Sequence, residues 1–336
     1  MLKRPFRSTQ VLAFVLFLLV PGLSSAESAI PATRASSPQQ EARRDVEAGN
    51  ELMSQGQYDQ AEHSFRMALE RDPSSFEAVM GLTRALTETS EYAQAENLCQ
   101  RSMRMAKDDP AGLSRVHQAM GEIYSREGRS PAAMSAYYKA AELSPNDVSV
   151  TRGLANCAIR AGLYAEAAAA YTKLLKMEPL DLSAKKQLAW VNFKLERYPL
   201  AISNYEAIRD SLGTVDRYYL AQAYAKSNRV DRAVEQFREV VRLDKDNYKG
   251  VYCNMAYAYY EANRYESAIV VAHEGLAQDS TSACLHFCWA QALDKLGRHK
   301  DAIPVFEAAL EDPTYADAAK KELERQRRIV RLLQSK

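Results

Sequence analysis

The sequence predicts an all-α solenoid, a fold in which pairs of helices stack in a row. Three observations lead to this prediction: a short phrase returns at a nearly constant interval, turn-forming residues are scarce, and the composition is that of a folded protein. The 336 residues include only 13 glycines and 12 prolines, too few for a sandwich or barrel that turns about every 8–12 residues. With 47% hydrophobic residues and 44 basic against 43 acidic side chains, the chain does not have the composition of a disordered protein.

From residue 42 onward, a phrase that closes on alanine recurs, for example GQYDQA at 56–61 and GLYAEA at 162–167. The intervals between the closing alanines are 34, 38, 34, 34, 32, 35 and 34 residues. A fixed period of this length indicates a helical pair that repeats and stacks on its neighbours. The closing alanines are Ala61, Ala95, Ala133, Ala167, Ala201, Ala233, Ala268 and Ala302.

This repeat resembles the tetratricopeptide repeat, a helix–turn–helix unit of about 34 residues, over roughly residues 42–314. Gly49 and Gly121 match the small residue of the first helix, and Pro73, Pro145 and Pro179 stand where the second helix stops. The bulky residue of the second helix is Phe65, Tyr137, Tyr171, Tyr205, Phe237 and Phe306. The resemblance implies a right-handed superhelix of about eight units.

Residues 315–336 are predicted to form a helix that caps the last unit, because its apolar residues fall close to one stripe. The alternative is a basic amphipathic helix on a membrane surface.

The first 26 residues have the layout of a secretory signal peptide. Lys3, Arg4 and Arg7 precede an apolar run at 11–20, and small residues follow up to Ala26. Ten apolar residues in a helix span about 15 Å, half of a hydrocarbon core of about 30 Å. We therefore expect cleavage after Ala26, with an uncleaved anchor as the alternative. Residues 27–41 are predicted to be a flexible tether, with a disordered tail that has no role as the alternative. The protein is expected to be exported to a bacterial periplasm or secreted.

No catalytic, cofactor-binding or metal site is predicted. Glycine-rich phosphate loops and the G-x-S-x-G motif are missing, and Ala277 stands where a zinc-protease helix beginning at His273 needs its second histidine. Cys253 could pair with Cys284 or Cys288 in an oxidising compartment, although buried free thiols are the more frequent outcome. Cys99 and Cys157 are expected in the core.

In the family that the repeat resembles, the first helices line a concave groove. Seven basic residues against one acidic residue, Glu122, fall there over the third to sixth units, which suggests an acidic or carboxylate-terminated peptide partner with aromatic anchors. The alternative is that the basic residues are merely solvated and the aromatic residues fill the core. The predicted partner-binding residues are Arg115, Arg126, Arg152, Asn156, Arg160, Lys186, Trp190, Phe193, Lys194, Tyr218, Gln222, Lys226, Tyr257 and Tyr260.

Arg152 and Asn156 resemble half of the clamp by which some family members hold chaperone tails. Val215 and Tyr219 take the place of the matching basic residues two units on, so a clamp of that kind is not expected.

The function expected from these observations is a non-catalytic scaffold or adaptor that holds segments of partner proteins during cell-envelope or secretion-complex assembly. An accessory subunit that positions an enzyme or substrate in a polysaccharide or peptidoglycan machine is the alternative. A net charge of +1 gives no field for nucleic acid, and membrane contact is expected only through an uncleaved N-terminal segment.

Overall fold

The computed structural model describes residues 37–335, which form seventeen α-helices and no strand. The first sixteen helices make eight pairs, so the predicted all-α solenoid of about eight units is confirmed. The predicted signal peptide lies outside the described residues, as does most of the predicted tether, and α1 begins at Pro38, inside the remainder of that tether.

The helices are α1 (Pro38–Ser54), α2 (Tyr58–Arg71), α3 (Phe76–Glu88), α4 (Tyr92–Met105), α5 (Pro110–Arg126), α6 (Ser130–Leu143), α7 (Val148–Arg160), α8 (Tyr164–Met177), α9 (Leu182–Lys194), α10 (Tyr198–Glu206), α11 (Thr214–Lys226), α12 (Val230–Leu243), α13 (Val251–Glu261), α14 (Tyr265–Leu276), α15 (Ala283–Lys295), α16 (His299–Ala308) and α17 (Pro313–Gln334). Odd-numbered helices up to α15 are the first helices of their pairs, and even-numbered helices are the second.

The turn inside each pair has the same geometry in all eight units. After the first helix, one residue adopts a positive φ, and the next amide donates back to a carbonyl of the last helical turn, as Gln57 N–H does to Leu52 C=O at 2.9 Å. This is the Schellman arrangement, which satisfies carbonyls that the helix end leaves unpaired. The positive-φ residues are Gly56, Ser90, Gly128, Gly162, Glu196, Asn228, Asn263 and Gly297.

Close packing between successive units depends on glycine in the N-terminal half. The buried ring of Phe65 lies between α1 and α3, and a Cβ added at Gly49 or Gly81 would come within 2.7 or 2.3 Å of it. Tyr137 is held in the same way by Gly121 and Gly153. The small residues at the unit contacts therefore make space for the aromatic ring of the second helix.

The irregular fifth interval has a visible cause. Helix α10 ends at Glu206, and a 3₁₀ turn at Arg209–Ser211 leads to the buried side chain of Leu212. The shortened helix and compact turn account for the 32-residue spacing.

At the other end of the chain, α17 packs on α15 and α16 and buries Ala319 and Leu323. None of the helices between residues 37 and 335 combines the length and apolar character needed to cross a membrane.

The structure joins Cys253 of α13 to Cys284 of α15 in a disulfide, with the two Cα atoms 6.1 Å apart. That separation is within the usual range of about 4.4–6.8 Å. Cys288 remains a buried thiol, and burial raises its pKa to about 12, which makes it a poor competitor for exchange. Cys99 and Cys157 are buried free thiols, as expected.

Candidate functional site

Side chains of the first helices line two stretches of the groove. The N-terminal groove segment is a cavity of about 600 Å³ between α1, α3 and α5, lined by Asn50, Arg84, Glu88 and Glu122 among others. The C-terminal groove segment is a cavity of about 310 Å³ between α7, α9 and α11, lined by Ile159, Lys186, Gln187, Trp190, Val215, Asp216 and Tyr219. The predicted residues Lys186 and Trp190 thus share one cavity.

Polar and charged side chains in and beside the N-terminal groove segment bind one another. Arg126 binds Glu88 at 2.6 Å and Glu122 at 2.7 Å, and Arg84 donates to the Asn50 side-chain oxygen at 2.7 Å. Just beyond the cavity, Arg115 makes two hydrogen bonds of 2.6 and 2.7 Å to Glu77 of α3. That ion pair lowers the pKa of Glu77. The predicted cations Arg115 and Arg126 are therefore already neutralised by the unit before them.

Two further predicted cations have carboxylate partners just before or within the start of the next first helix. Arg152 of α7 binds Asp181, and it binds Glu178 at 2.7 Å. Burial would raise the pKa of Asp181, but hydrogen bonds from the Ala184 amide and from Arg152 outweigh it and hold that pKa low. Lys186 of α9 lies 3.2 Å from Asp216 of α11.

Asn156 accepts a hydrogen bond from the Tyr171 hydroxyl. Arg152 and Asn156, which resemble half of a chaperone-tail clamp, therefore both have partners within the protein. Neither side chain is free to bind the carboxylate of a peptide.

Three predicted cations have no carboxylate partner among the residues that the structure describes: Arg160, Lys194 and Lys226. All three side chains are exposed. Arg160 donates to the Ser125 hydroxyl at 2.6 Å, and the Lys194 ammonium lies 5.3 Å from the centre of the Trp190 ring. Of the seven predicted cations, only these three lack a carboxylate partner in the described part of the chain. Arg84, which was not predicted and which lines the N-terminal groove segment, binds an amide oxygen.

The predicted aromatic residues form a network of partly buried rings along α9, α11 and α13. Trp190 contacts Tyr219 edge-on with ring centres 6.4 Å apart, and Phe193 contacts Tyr219 at 5.2 Å. Tyr218 packs against Phe237 of the core at 6.0 Å. These rings therefore form part of the packing between units and also part of the groove wall.

Further along the groove, Tyr257 contacts Tyr260 at 6.4 Å, and burial raises the pKa of the Tyr257 hydroxyl. Gln222 lies half-buried on α11.

Several lining residues were missed by the sequence analysis: Asn50, Arg84 and Glu88 in the larger cavity, and Tyr219 in the smaller one. The repeat period itself carries the signal for three of them. Arg84 follows Asn50 by one interval of 34 residues, and Arg126 follows Glu88 by the long interval of 38. Equivalent positions of successive units face each other, so pairing them by interval would have found these contacts.

Between residues 37 and 335, no group of three histidine, cysteine, aspartate or glutamate side chains is placed to hold a metal ion.

Comparison with known protein families identifies the repeat. Profiles described as tetratricopeptide repeat match residues 52–119, 114–147, 152–213 and 217–247. No curated protein matches the chain.

Solved structures with similar folds include one from a study titled "Functional Characterization of Pseudomonas Aeruginosa pilF", with a TM-score of 0.53 and 20% identity. The match covers 64% of this chain and 97% of that one. A chain in the structure of Naa15/Naa10 bound to HypK-THB matches with a TM-score of 0.52 and 16% identity, over 83% of this chain and 43% of that one. This chain therefore spans less than half of the second relative, and at these identities the likeness concerns the fold alone.

Proposed function

Because the chain is an all-α solenoid of tetratricopeptide repeats, we propose that it is an exported, non-catalytic scaffold that holds an extended segment of a partner protein. The observation that carries the proposal is the C-terminal groove segment. There, an open cavity of about 310 Å³ brings the apolar faces of Trp190 and Tyr219 beside Val215, which is 56% exposed. An aromatic anchor in a concave site next to uncompensated positive charge is typical of protein-binding hot spots.

Trp190 is suited to such contacts because its position is fixed in advance. Tyr164 and Tyr219 pack edge-on against it with ring centres 5.7 and 6.4 Å away. A side chain that is already ordered loses little conformational entropy on binding, so more of the contact energy appears as affinity.

Two features support export. The N-terminal 26 residues have the order of charged, apolar and small residues found in secretory signals. The disulfide between Cys253 and Cys284 is a bond that persists in oxidising compartments and is rare in the cytosol. By analogy with exported proteins of this repeat family, we propose a role in the assembly of a cell-envelope or secretion complex. The relative in the Naa15/Naa10 structure bound to HypK-THB belongs to a protein complex, which is consistent with a scaffold function for the shared fold.

Site-specific photo-cross-linking in the native host tests the proposal. A benzophenone amino acid replaces Trp190 in the groove or, as the matched control, Lys173, which is exposed on the second helix α8. We expect position 190 to capture one defined protein and position 173 to capture none. The identity of the captured protein separates an assembly component from a polysaccharide or peptidoglycan enzyme. Equal capture at both positions, or capture at position 173 alone, would place the partner outside the groove.

A further inference from the structure

The three unpaired cations of the groove occupy one equivalent position in three successive units. Arg160 is the last residue of α7, Lys194 is the last residue of α9, and Lys226 is the last residue of α11. The helices that carry them line the C-terminal groove segment. We call these three exposed side chains the cationic ladder.

The ladder has defined ends. Glu88 ends α3 and Glu261 ends α13, so the same position is acidic on both sides of a basic run. The first basic residue of that run, Arg126 at the end of α5, is neutralised by Glu88 and Glu122. Within this run, the uncompensated charge is therefore confined to Arg160, Lys194 and Lys226, and Lys295 at the end of α15 is separated from them by Glu261.

Stabilisation of the helix ends does not account for this pattern. A cation near a helix C-terminus is favoured by about 0.3–1 kcal/mol through the helix dipole. Glu88 and Glu261, however, end equivalent helices of the same solenoid with the opposite charge. The fold therefore accepts either sign at this position, and three neighbouring cations without carboxylates point to a ligand.

The spacing between successive first helices limits the shape of that ligand. First helices of neighbouring units pack on each other, as α9 does on α11, and packed helices have axes about 8–10 Å apart. An extended chain advances about 3.3 Å per residue. One step of the ladder therefore matches about three residues of an extended peptide. From the charge of the ladder and from this spacing, we propose that the occupant is an extended acidic segment whose carboxylates recur at every third residue.

The segment's intervening apolar side chains would contact Trp190 and Tyr219, since the Lys194 ammonium lies 5.3 Å from the Trp190 ring centre and so joins the ladder to the aromatic wall. This inference rests on the proposed function and names the class of partner.

Two labelled synthetic peptides of about twelve residues and identical composition test it. In the spaced peptide, two leucine or serine residues separate three glutamates; in the contiguous peptide, the glutamates are adjacent. Binding is measured by fluorescence anisotropy with the protein purified from its native host. We expect the spaced peptide to bind about tenfold more tightly at low salt, and the difference to shrink at 0.5 M salt because exposed charges are screened.

Lys226→Gln should weaken binding of the spaced peptide about fivefold. Lys295→Gln is the matched control, because Lys295 is the exposed last residue of α15 outside the ladder, and it should change nothing. Replacing one terminal glutamate of the spaced peptide by glutamine should abolish the effect of Lys226→Gln, as expected for residues that interact directly.

Equal binding of the two peptides, or equal effects of the two lysine variants, would overturn the ladder. Failure of both peptides to bind while position 190 still cross-links a partner would also overturn it and leave the scaffold standing. Failure of that cross-link as well would remove the proposed function.

Discussion

The two groove segments place different chemistry at equivalent helix positions. In the N-terminal segment, Arg84 faces Asn50 and Arg126 faces Glu88, so the polar groups of one unit satisfy those of the next. In the C-terminal segment, Lys186 is likewise paired with Asp216 and Trp190 faces Tyr219. The cations at the ends of α7, α9 and α11, however, face no carboxylate in the described part of the chain.

This difference shows that the repeat position alone does not determine the binding capacity of a groove residue. An arginine whose neighbouring unit offers a carboxylate must give up that ion pair before it can bind a ligand, which offsets much of the gain. A lysine without such a neighbour has no internal partner to lose. The larger cavity at the N-terminal end is therefore a weaker candidate for an acidic ligand than the smaller cavity at the C-terminal end.

Deletion of residues 313–336, which contain α17, is the perturbation with the largest expected effect on the C-terminal half alone. It removes the buried side chain of Leu323 and uncovers the Phe287 and Phe306 rings. Loss of one buried leucine side chain costs about 2–5 kcal/mol, so we expect the local opening free energy of α15 and α16 to fall by more than about 3 kcal/mol. Hydrogen exchange should rise in residues 283–311.

The first three units provide the internal control for this deletion. In a solenoid, stability is nearly a sum of neighbour interactions, so their exchange should stay close to that of the intact protein. Uniform loss of protection along the chain would show a single cooperative unit and contradict the stacked architecture.

Reduction of the disulfide is the next largest expected effect, and it also concerns the C-terminal half. A bond that closes a loop of 31 residues contributes about 2–4 kcal/mol in the chain-entropy account. We expect a reducing agent to lower the melting temperature of α13–α15 in the native protein. The same agent should not change the melting temperature of a Cys253→Ser/Cys284→Ser variant, which has no such bond to reduce.

Alkylation checks the premise of that experiment. Protein isolated from the native host and denatured without reductant should be modified at three cysteines, Cys99, Cys157 and Cys288. Modification at all five would show that the bond does not form.

Most of the fold follows from the sequence because the units depend on local signals. The alanine period located all eight pairs, and Pro73, Pro145 and Pro179 each follow the end of a second helix by two residues. The turn residues were less regular: Glu196 takes the positive φ that glycine supplies in four other units. Packing of the flanking helices imposes that geometry whatever residue is present.

The groove was harder to predict because its electrostatics depend on contacts between units. The charge pattern of the first helices predicts Arg152 and Lys186 as free cations. It does not include their partners Asp181 and Asp216, which lie at the start of the next first helix. The partner of Cys253 could not be predicted for the same reason, since the choice between Cys284 and Cys288 depends on a contact between units. Residues four apart share a helix face, and only the position of α13 shows that Cys284 is the one within reach of Cys253.

Gly81→Ala is a smaller perturbation and acts on the N-terminal half. Its Cβ would lie 2.3 Å from the Phe65 ring, and overpacking of this kind costs about 1–3 kcal/mol. The higher helix propensity of alanine offsets about 1 kcal/mol of this cost, so the expected net loss of stability is up to about 2 kcal/mol, measured by urea unfolding.

Gly250→Ala is the control for this substitution, because no atom lies within 4 Å of the added Cβ and its φ is −64°. It should leave stability unchanged or slightly raised. If Gly81→Ala also left the free energy of unfolding unchanged, Phe65 would have room to move. That result would contradict the close packing of its ring between α1 and α3.

The smallest expected effect is a pH dependence at the C-terminal end. Burial alone would raise the pKa of Asp294, but hydrogen bonds from Gln326 and Arg325 outweigh it and hold the pKa below its usual value of 3.8. His299 Nδ1 also lies 3.2 Å from this carboxylate. A pKa that is lower in the folded state gives stability that is present above pH 3.8 and is lost as the pH falls through the folded value.

Protection factors of the α17 amides, corrected for the intrinsic pH dependence of exchange, should therefore be level between pH 7 and pH 5 and decline below about pH 3.8. Asp294→Asn removes the titrating group and keeps an oxygen that can accept from Gln326, so the variant should lose this step in α17 while other acid-sensitive regions behave as before. An unchanged decline in the variant would mean that other carboxylates control docking of α17, and that the last helix is held mainly by the apolar contacts of Ala319 and Leu323.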